Sequence, residues 1–310
     1  MLPVLEKSAI YFLIIFFGWW LRKSGRISHD AARMVGIIIV NLTLPAALIR
    51  NAEAIIIGPQ LPLLFGLGIL SNMAGLAGGY LQNRGRIEPK TSAMMLMVSS
   101  YNVGAVLLPF VEMFFPGTGV AYLCMFDSGN AVMGLGLSYS IAKAVSSKSE
   151  RLSLREILRT LCGSIPFVTY IVLFIMAFLK LSVPDFILNA AGVIGNANGF
   201  LAMLMIGLLL EFDLPAGQLK EALKVIAGRY GLNLALMLLV WFFPAGDAFM
   251  KMITMLCLSS PVAAASVVYI LECGYKGELT GIVSTISIVI SLALIILIIL
   301  TFGLPFAAVA

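Results

Sequence analysis

Asp127 lies well inside an apolar stretch of the sequence and is followed three positions later by Asn130. Residues three apart lie on the same side of a helix, so the two side chains should share a site. A carboxylate inside a membrane is costly and marks a functional position by default. The pair therefore predicts a site at which a coupling ion, H⁺ or Na⁺, binds and is released. The alternative is a protonated Asp127 that only forms a hydrogen bond to a neighbouring helix.

Helix-breaking residues interrupt two other apolar stretches. One stretch contains the segment from Ser99 to Gly104, and the other contains Ser259-Ser260-Pro261. Pro removes a backbone donor, Gly weakens a helix, and Ser or Asn gives freed backbone groups local partners. Broken backbone inside a membrane is tolerated where protein or a wet cavity satisfies it. The pattern predicts a binding site, and the alternative is two kinked packing helices without a ligand. The candidate substrate-binding residues are Ser100, Asn102, Gly104, Ser259, Ser260 and Pro261.

The composition places these features in a membrane. Of the 310 residues, 61% are hydrophobic and 11% are charged, whereas a soluble domain has about 25% charged and about 45–50% apolar residues. A water-soluble enzyme is therefore excluded. The sequence contains no P-loop, and its four cysteines and one histidine match neither a disulfide framework nor a zinc site. We expect a membrane protein that is not an enzyme and uses no cofactor apart from a coupling ion.

Apolar stretches of about 20 residues predict ten membrane-spanning helices, which we number as spans 1 to 10. Their expected bounds are Pro3–Leu21, Met34–Ile49, Leu61–Tyr80, Thr91–Phe114, Thr118–Ala142, Leu161–Leu179, Phe186–Leu210, Val225–Phe243, Ala248–Leu271 and Leu279–Phe302. Asn41–Pro45 should interrupt span 2, and Asn196–Gly199 should interrupt span 7, and both segments could line the cavity. The alternative is that they form hydrogen bonds between helices and a Pro bend. The small-residue spacings Gly75–Gly79 and Gly195–Gly199 predict close helix packing.

The charges of the connecting segments predict the orientation. The segments after spans 1, 3, 5, 7 and 9 contain 16 of the 20 Lys and Arg residues, and cytoplasmic loops are the basic ones. Both termini should therefore lie outside the cell's inner (plasma) membrane. Arg229 is counted with the cytoplasmic segment between spans 7 and 8, so no Lys or Arg is expected at mid-membrane. The net charge of +5 then reflects orientation and does not indicate nucleic acid as a partner.

The sequence also contains an internal repeat. After a shift of 160 positions, seven of the 23 residues from Met95 to Gly117 match their counterparts, and the matches include the Ser-Ser pairs and Glu112. Inverted repeats with interrupted helices are a mark of secondary transporters. We expect a first five-helix repeat at 1–142, a cytoplasmic amphipathic linker at 143–160 with a short helix at Ser153–Arg159, and a second, inverted repeat at 161–310. Glu112 falls at the end of span 4 and should be solvated.

Four segments carry a resemblance to a known family: Asn41-Leu42-Thr43-Leu44-Pro45, Ser100-Tyr101-Asn102-Val103-Gly104, Phe126-Asp127-Ser128-Gly129-Asn130 and Ser260-Pro261. In order and spacing they resemble the auxin efflux carrier family, which includes plant PIN carriers and bacterial permeases for malate, malonate and similar acids. The resemblance covers essentially the whole chain. It implies a fold like that of the bile-acid sodium symporters, with a scaffold domain and a transport domain. Helices 4 and 9 cross at the substrate site in that fold, so Asn102 and Pro261 would lie at the crossing.

Two departures from the plant members favour a bacterial-type permease. Plant members often have Pro where this chain has Tyr101, and their long central cytoplasmic loop is missing here. The sequence thus predicts an all-α transporter with ten helices in a 5+5 inverted repeat. It would move a small organic anion, in particular a carboxylate, by alternating access, coupled to H⁺ or Na⁺ at Asp127 and Asn130.

The expected partners are the anion and the lipid bilayer, without nucleic acid, and a homodimer is compatible with the sequence. Two alternatives remain for the function. One is an uncoupled uniporter or channel. The other is a membrane-embedded sensor that binds a ligand and signals through the linker at 143–160.

Overall fold

The computed structural model describes residues 2–55, 58–83, 88–146, 154–210 and 216–307, and all regular structure in these ranges is helical. The helices are α1 (Leu2–Lys23), α2 (His29–Ile38), α3 (Leu44–Arg50), α4 (Gln60–Gln82), α5 (Pro89–Ser99), α6 (Leu108–Phe114), α7 (Thr118–Val132), α8 (Ser138–Ser146), α9 (Leu154–Gly163), α10 (Ile165–Phe178), α11 (Asp185–Leu209), α12 (Ala216–Phe242), α13 (Ala248–Leu258), α14 (Ala264–Glu272), α15 (Leu279–Ile298) and α16 (Leu304–Ala307). The remaining helical turns are a 3-10 turn at Ala52–Ala54 and π-helical turns at Ile39–Thr43, Val103–Leu107, Met133–Leu137 and Ile299–Gly303.

Within the described residues, seven helical segments are long and apolar enough to cross a membrane. They are Ala31–Arg50, Gln60–Gln82, Pro89–Phe114, Thr118–Val145, Asp185–Leu209, Gly217–Phe242 and Leu279–Gly303. An α-helix rises about 1.5 Å per residue, so 20 residues span a hydrocarbon core of about 30 Å. Two shorter helices, α10 and α13, are also apolar. The prediction of an all-α membrane protein is therefore confirmed.

The helices pack in two groups. α1, α2 and α3 each pack on α11, and α10 joins them mainly through α3; we call this set the panel group. α4, α5, α7, α8, α12, α13 and α15, with α6 and α14, form the other set, which we call the crossing group. Contacts of α11 with α6 and of α10 with α7 connect the two groups and are less extensive.

Glycines bring helices into backbone contact inside each group. A Cβ added at Gly75 or Gly79 of α4 would lie 2.4 or 2.5 Å from a Cα of α5, and one at Gly68 would lie 2.3 Å from a carbonyl oxygen of α7. In the panel group, a Cβ at Gly195 of α11 would lie 2.9 Å from the nitrogen of Ala47 in α3. The predicted close packing at Gly75–Gly79 and at Gly195 is confirmed. Larger side chains at these positions would push the helices apart.

The two other predicted interruptions have different outcomes. At Asn41–Pro45 the α-helix is interrupted by the π-helical turn at Ile39–Thr43. Pro45 then lies in the first turn of α3, where a missing backbone N–H is tolerated. The prediction that Asn196–Gly199 interrupts span 7 is wrong, because α11 is continuous. Asn198 Oδ1 instead accepts a hydrogen bond of 3.0 Å from Thr43 Oγ1 on the neighbouring helix. Its amide therefore joins two helices without breaking its own.

The linker contains the predicted short amphipathic helix. α9 is strongly amphipathic, and Arg155 and Arg159 on it are exposed; Ser153, the predicted start, lies outside the described residues. α10 begins after Ser164, whose hydroxyl accepts a hydrogen bond of 3.4 Å from the first turn of that helix. Such an N-cap fixes the start of a helix. Span 6 therefore begins a few residues after the predicted Leu161.

Candidate functional site at the helix crossing

The interruptions of spans 4 and 9 contact each other. The backbone nitrogen of Asn102 donates to the carbonyl oxygen of Pro261 at 2.9 Å, and the nitrogen of Ala263 donates to Ser100 Oγ at 3.3 Å. Buried backbone groups require such partners, and here each interruption supplies them to the other. The two predicted broken helices thus meet at Asn102 and Pro261, and we call this contact the crossing.

Arg229 of α12 lies at this crossing and is completely buried. Its Nη1 donates to the carbonyl oxygens of Met97 (2.8 Å) and Val98 (3.0 Å), and its Nη2 donates to that of Ser260 (2.9 Å). These carbonyls belong to the C-terminal end of α5 and to the break after α13. Among the residues that the structure describes, no carboxylate forms an ion pair with Arg229. Arg229 does not lie in the segment before span 8, with which the sequence counted it, because α12 begins at Ala216 and not at the predicted Val225.

Asn233 completes the contact between α12 and the crossing, one helical turn after Arg229. Its Nδ2 donates to the carbonyl oxygen of Leu258 at 2.8 Å, and its Oδ1 accepts from the Tyr101 hydroxyl at 2.8 Å. Residues four apart share one face of a helix. α12 therefore satisfies the last carbonyls of both broken helices. A signal for both residues was available in the sequence, since both fall within the predicted bounds of span 8, where polar and charged residues mark functional positions.

The predicted substrate-binding residues differ in how far the fold uses their polar groups. Ser100 Oγ and Ser259 Oγ donate to carbonyls of their own helices at 2.8 and 2.7 Å. Pro261 contributes its carbonyl oxygen. Ser260 Oγ is buried without a hydrogen-bond partner. Asn102 is half-buried, and only its backbone nitrogen, not its side-chain amide, takes part in the hydrogen bonds of the crossing. Ser260 and Asn102 are therefore the members of the predicted set that keep side-chain groups available to a ligand.

Asp127 and Asn130 are buried side by side on α7. Asn130 Nδ2 donates to Asp127 Oδ1 at 2.8 Å and to the carbonyl oxygen of Tyr101 at 3.0 Å. The Tyr170 hydroxyl of α10 donates to Asp127 Oδ2 at 2.8 Å. A Cβ at Gly104 would lie 3.2 Å from the same oxygen. The carboxyl group therefore adjoins the crossing, and Tyr170 is a contact that the sequence did not reveal.

The corresponding position of the second half carries a hydroxyl. Ser287, which matches Asp127 after the 160-residue shift, accepts a hydrogen bond of 3.2 Å from the backbone nitrogen of Val262. Within the described ranges, no cluster of three or more His, Cys, Asp or Glu side chains could hold a metal ion. Asp127 is thus a single carboxyl group at an asymmetric site.

A second polar cluster joins the end of α3 to α6. Arg50 Nη2 and Asn51 Nδ2 donate to Glu112 Oε1 at 2.8 and 2.9 Å, and Arg50 Nη1 donates to Asn196 Oδ1 of α11. The prediction that Glu112 is solvated is wrong, because its side chain is 9% exposed and ion-paired. Its counterpart Glu272 is exposed. The Arg50–Glu112 pair therefore links the panel group to the crossing group.

Comparison of the chain with models of known protein families gives no match, and a search of curated proteins gives none either. The resemblance to the auxin efflux carriers therefore stays a prediction. What the chain does has to be argued from the charges and contacts at the crossing.

Proposed function

We propose that the protein is a secondary transporter of a small organic anion, related to the auxin efflux carriers. In this proposal ten spans form a 5+5 inverted repeat in the inner (plasma) membrane, with both termini outside. The observation that carries the proposal is the buried Arg229 at the contact of two broken helices. The breaks of spans 4 and 9 fall at positions related by the sequence shift, which supports the repeat. Transporters of this architecture bind substrate where such helices are broken.

The charge balance at the crossing favours an anion. A helix carries about half a positive charge at its N-terminus and about half a negative charge at its C-terminus. α5 and α13 end at the crossing and their continuations begin there, so the four ends alone nearly cancel. Arg229 bonds to carbonyls at both C-terminal ends and offsets their negative charge. The two N-terminal helix ends then leave the crossing with a net positive charge of about one elementary charge.

Asp127 then sets the net charge that an anion meets. An ionised Asp127 cancels the positive excess, whereas a protonated Asp127 leaves it, so the anion and a proton should bind together. Na⁺ is the less suitable coupling ion, because both carboxylate oxygens already accept hydrogen bonds. Helix C-terminal carbonyls, which coordinate cations in transporters with broken helices, are occupied here by Arg229.

The two packing groups provide the parts for alternating access. The panel group would serve as the scaffold and the crossing group as the transport domain. Strong glycine packing holds each group together, while specific polar contacts such as Tyr170–Asp127 and Arg50–Glu112 connect them. A shift of one group against the other would expose the crossing first on one side of the membrane and then on the other.

Flux in proteoliposomes tests the proposal. Purified protein should exchange external radiolabelled malonate, malate or lactate for the same unlabelled acid inside, without Na⁺. A pH gradient that is acidic on the supply side should drive accumulation. Exchange without accumulation would indicate an uncoupled uniporter, and binding without exchange would indicate a sensor. Failure of all three carboxylates to bind or exchange would refute the proposed function.

A further inference from the structure

The Tyr170 hydroxyl connects the two groups at the titratable carboxyl. Tyr170 is 2% exposed, and it belongs to α10, which packs mainly on α3 of the panel group. Its hydroxyl donates to Asp127 Oδ2 at 2.8 Å, on α7 of the crossing group. A buried tyrosine hydroxyl needs an acceptor, and here that acceptor is a group whose charge can change.

The other titratable groups near Asp127 are thiols and phenols. Cys124 lies on α7, like Asp127, and Cys257 lies on α13. Both thiols are buried and interact electrostatically with the Asp127 carboxyl group. The Tyr101 backbone contacts Asn130, next to Asp127. Thiols and phenols ordinarily titrate above pH 8. Among the described groups around it, the Asp127 carboxyl is therefore the acid whose charge the coupling would follow.

The charged groups of the surrounding elements are held elsewhere. Glu112 of α6 is paired with Arg50, and Glu53 of the 3-10 turn is exposed. Arg229 of α12 is bonded to backbone carbonyls and lies over the Tyr101 ring. The segments of α4 and of the π-helical turns that pack on α7 contribute uncharged side chains. The Tyr170 hydroxyl on α10 is thus the described hydrogen-bond donor of the panel group that contacts the Asp127 carboxyl group.

The strength of this contact depends on a proton. A hydrogen bond to an ionised group is roughly twice as strong as one between neutral groups. Parting α10 from α7 while Asp127 is ionised would leave a buried carboxylate with Asn130 as its remaining donor. A proton that arrives from water and binds a carboxylate oxygen of Asp127 removes the charge and most of this cost.

We propose that Tyr170 is a positioning residue that couples the charge of Asp127 to the movement of the panel group against the crossing group. The inference rests on the proposed function. The ionised carboxylate favours the arrangement of the groups in which the Tyr170 hydroxyl bonds to it, and protonation removes most of this preference. The unloaded, ionised carrier then returns to this arrangement after it has released its anion and proton, and proton-coupled accumulation requires that return.

Distances between spin labels on the two groups test the coupling without any substrate. Val193 on α11 and Leu234 on α12 are exposed and belong to different groups, so Val193→Cys and Leu234→Cys carry the labels. Cys162→Ser removes the exposed native thiol. In the otherwise wild-type protein in lipid nanodiscs, lowering the pH should shift the distance distribution towards a second population.

Tyr170→Phe should populate both distances at all pH values and reduce the pH-dependent change about fivefold. Tyr11→Phe is the matched control, because the Tyr11 hydroxyl also links the groups but donates to the neutral carbonyl oxygen of Pro109 at 3.0 Å. It should keep the wild-type pH response. A wild-type response in Tyr170→Phe, an equal loss in Tyr11→Phe, or no response in the wild-type protein would each overturn the inference.

Flux separates this inference from the proposed function. In proteoliposomes, Tyr170→Phe should lower malonate accumulation about fivefold and leave malonate exchange within about twofold of wild type. Exchange by the wild type together with unchanged accumulation by Tyr170→Phe would refute the coupling role alone. A pH-dependent distance change in a protein that exchanges none of the carboxylates would refute the transport function and leave the coupling in place.

Discussion

Arg229 and Tyr101 stack at the crossing, with the guanidinium carbon 5.0 Å from the ring centroid. The hydroxyl of Tyr101 bonds to Asn233, and its carbonyl oxygen accepts from Asn130, which also holds Asp127. The permanent positive charge and the titratable carboxyl group are thereby placed on either side of one residue. This arrangement is why we expect both groups to act on the same bound anion.

Arg229→Gln should destabilise the protein and remove carboxylate binding. The carbonyls of Met97 and Ser260 would lose a buried charged donor, and a buried acceptor left without a partner costs about 1–3 kcal/mol. Arg229→Lys keeps the charge but loses the planar fork of donors, so its effects should be intermediate. Thermal unfolding and calorimetric malonate titration measure both effects. Lys224→Gln, at an exposed position of α12, is the control, and malonate binding by Arg229→Gln at wild-type strength would contradict the prediction.

Asp127→Asn should abolish pH-driven accumulation while the protein stays folded. Asn retains the size and most hydrogen bonds of Asp but cannot exchange a proton. Malonate exchange should persist, because the variant resembles the protonated carrier. Uptake with and without a pH gradient separates these activities. Accumulation at the wild-type rate would show that Asp127 is structural and that coupling occurs elsewhere.

Glu112→Gln should loosen the contact between the groups at the end of α3. The Arg50 side chain is 32% exposed, so solvent screening limits the loss to about 1 kcal/mol. That loss is a shift of about fivefold between two populations. The spin-label pair on α11 and α12 reports the shift, and Glu53→Gln, an exposed acid nearby, should leave the distances unchanged. An unaltered distribution in Glu112→Gln would mean that this ion pair does not restrain the movement.

The sequence was sufficient for the features that depend on local composition. Apolar length predicts the membrane helices, and Ser, Gly and Pro predict the two breaks, because these effects act within one turn of the chain. Arg229 was misplaced because the predicted start of its helix, Val225, lies nine residues after the observed one. Nine residues of helix correspond to about 14 Å, which is about half of a hydrocarbon core of about 30 Å.

Contacts between distant segments were beyond a sequence-based prediction. Tyr170 is 43 residues from Asp127, and Glu112 is 62 residues from Arg50. A tyrosine in an apolar helix and a glutamate at a helix end each have ordinary explanations when read alone. Their roles follow from which helices lie beside them, and that depends on the packing of the whole chain.

A carboxylate should bind at the crossing, whereas its methyl ester or amide should not. The positive crossing attracts an anion, and the available groups of Asn102 and Ser260 can donate to carboxylate oxygens. Hydrogen bonds to a charged group contribute about 1.5–3 kcal/mol each, which together with the helix ends gives micromolar-to-millimolar affinity. Asn102→Ala and Ser260→Ala should each weaken binding several-fold. Pro261→Ala should disturb it by allowing the broken helix to reform.

Competition against radiolabelled malonate measures this discrimination. Unlabelled malonate should displace the label, whereas dimethyl malonate and malonamide should not, because neither carries the charge that the crossing favours. Ser259→Ala is a matched control for Ser260→Ala, since the Ser259 hydroxyl already donates to a carbonyl of its own helix. Equal displacement by the acid and by its ester would refute the anion hypothesis, and the charge of Arg229 would then serve only to hold the two broken helix ends.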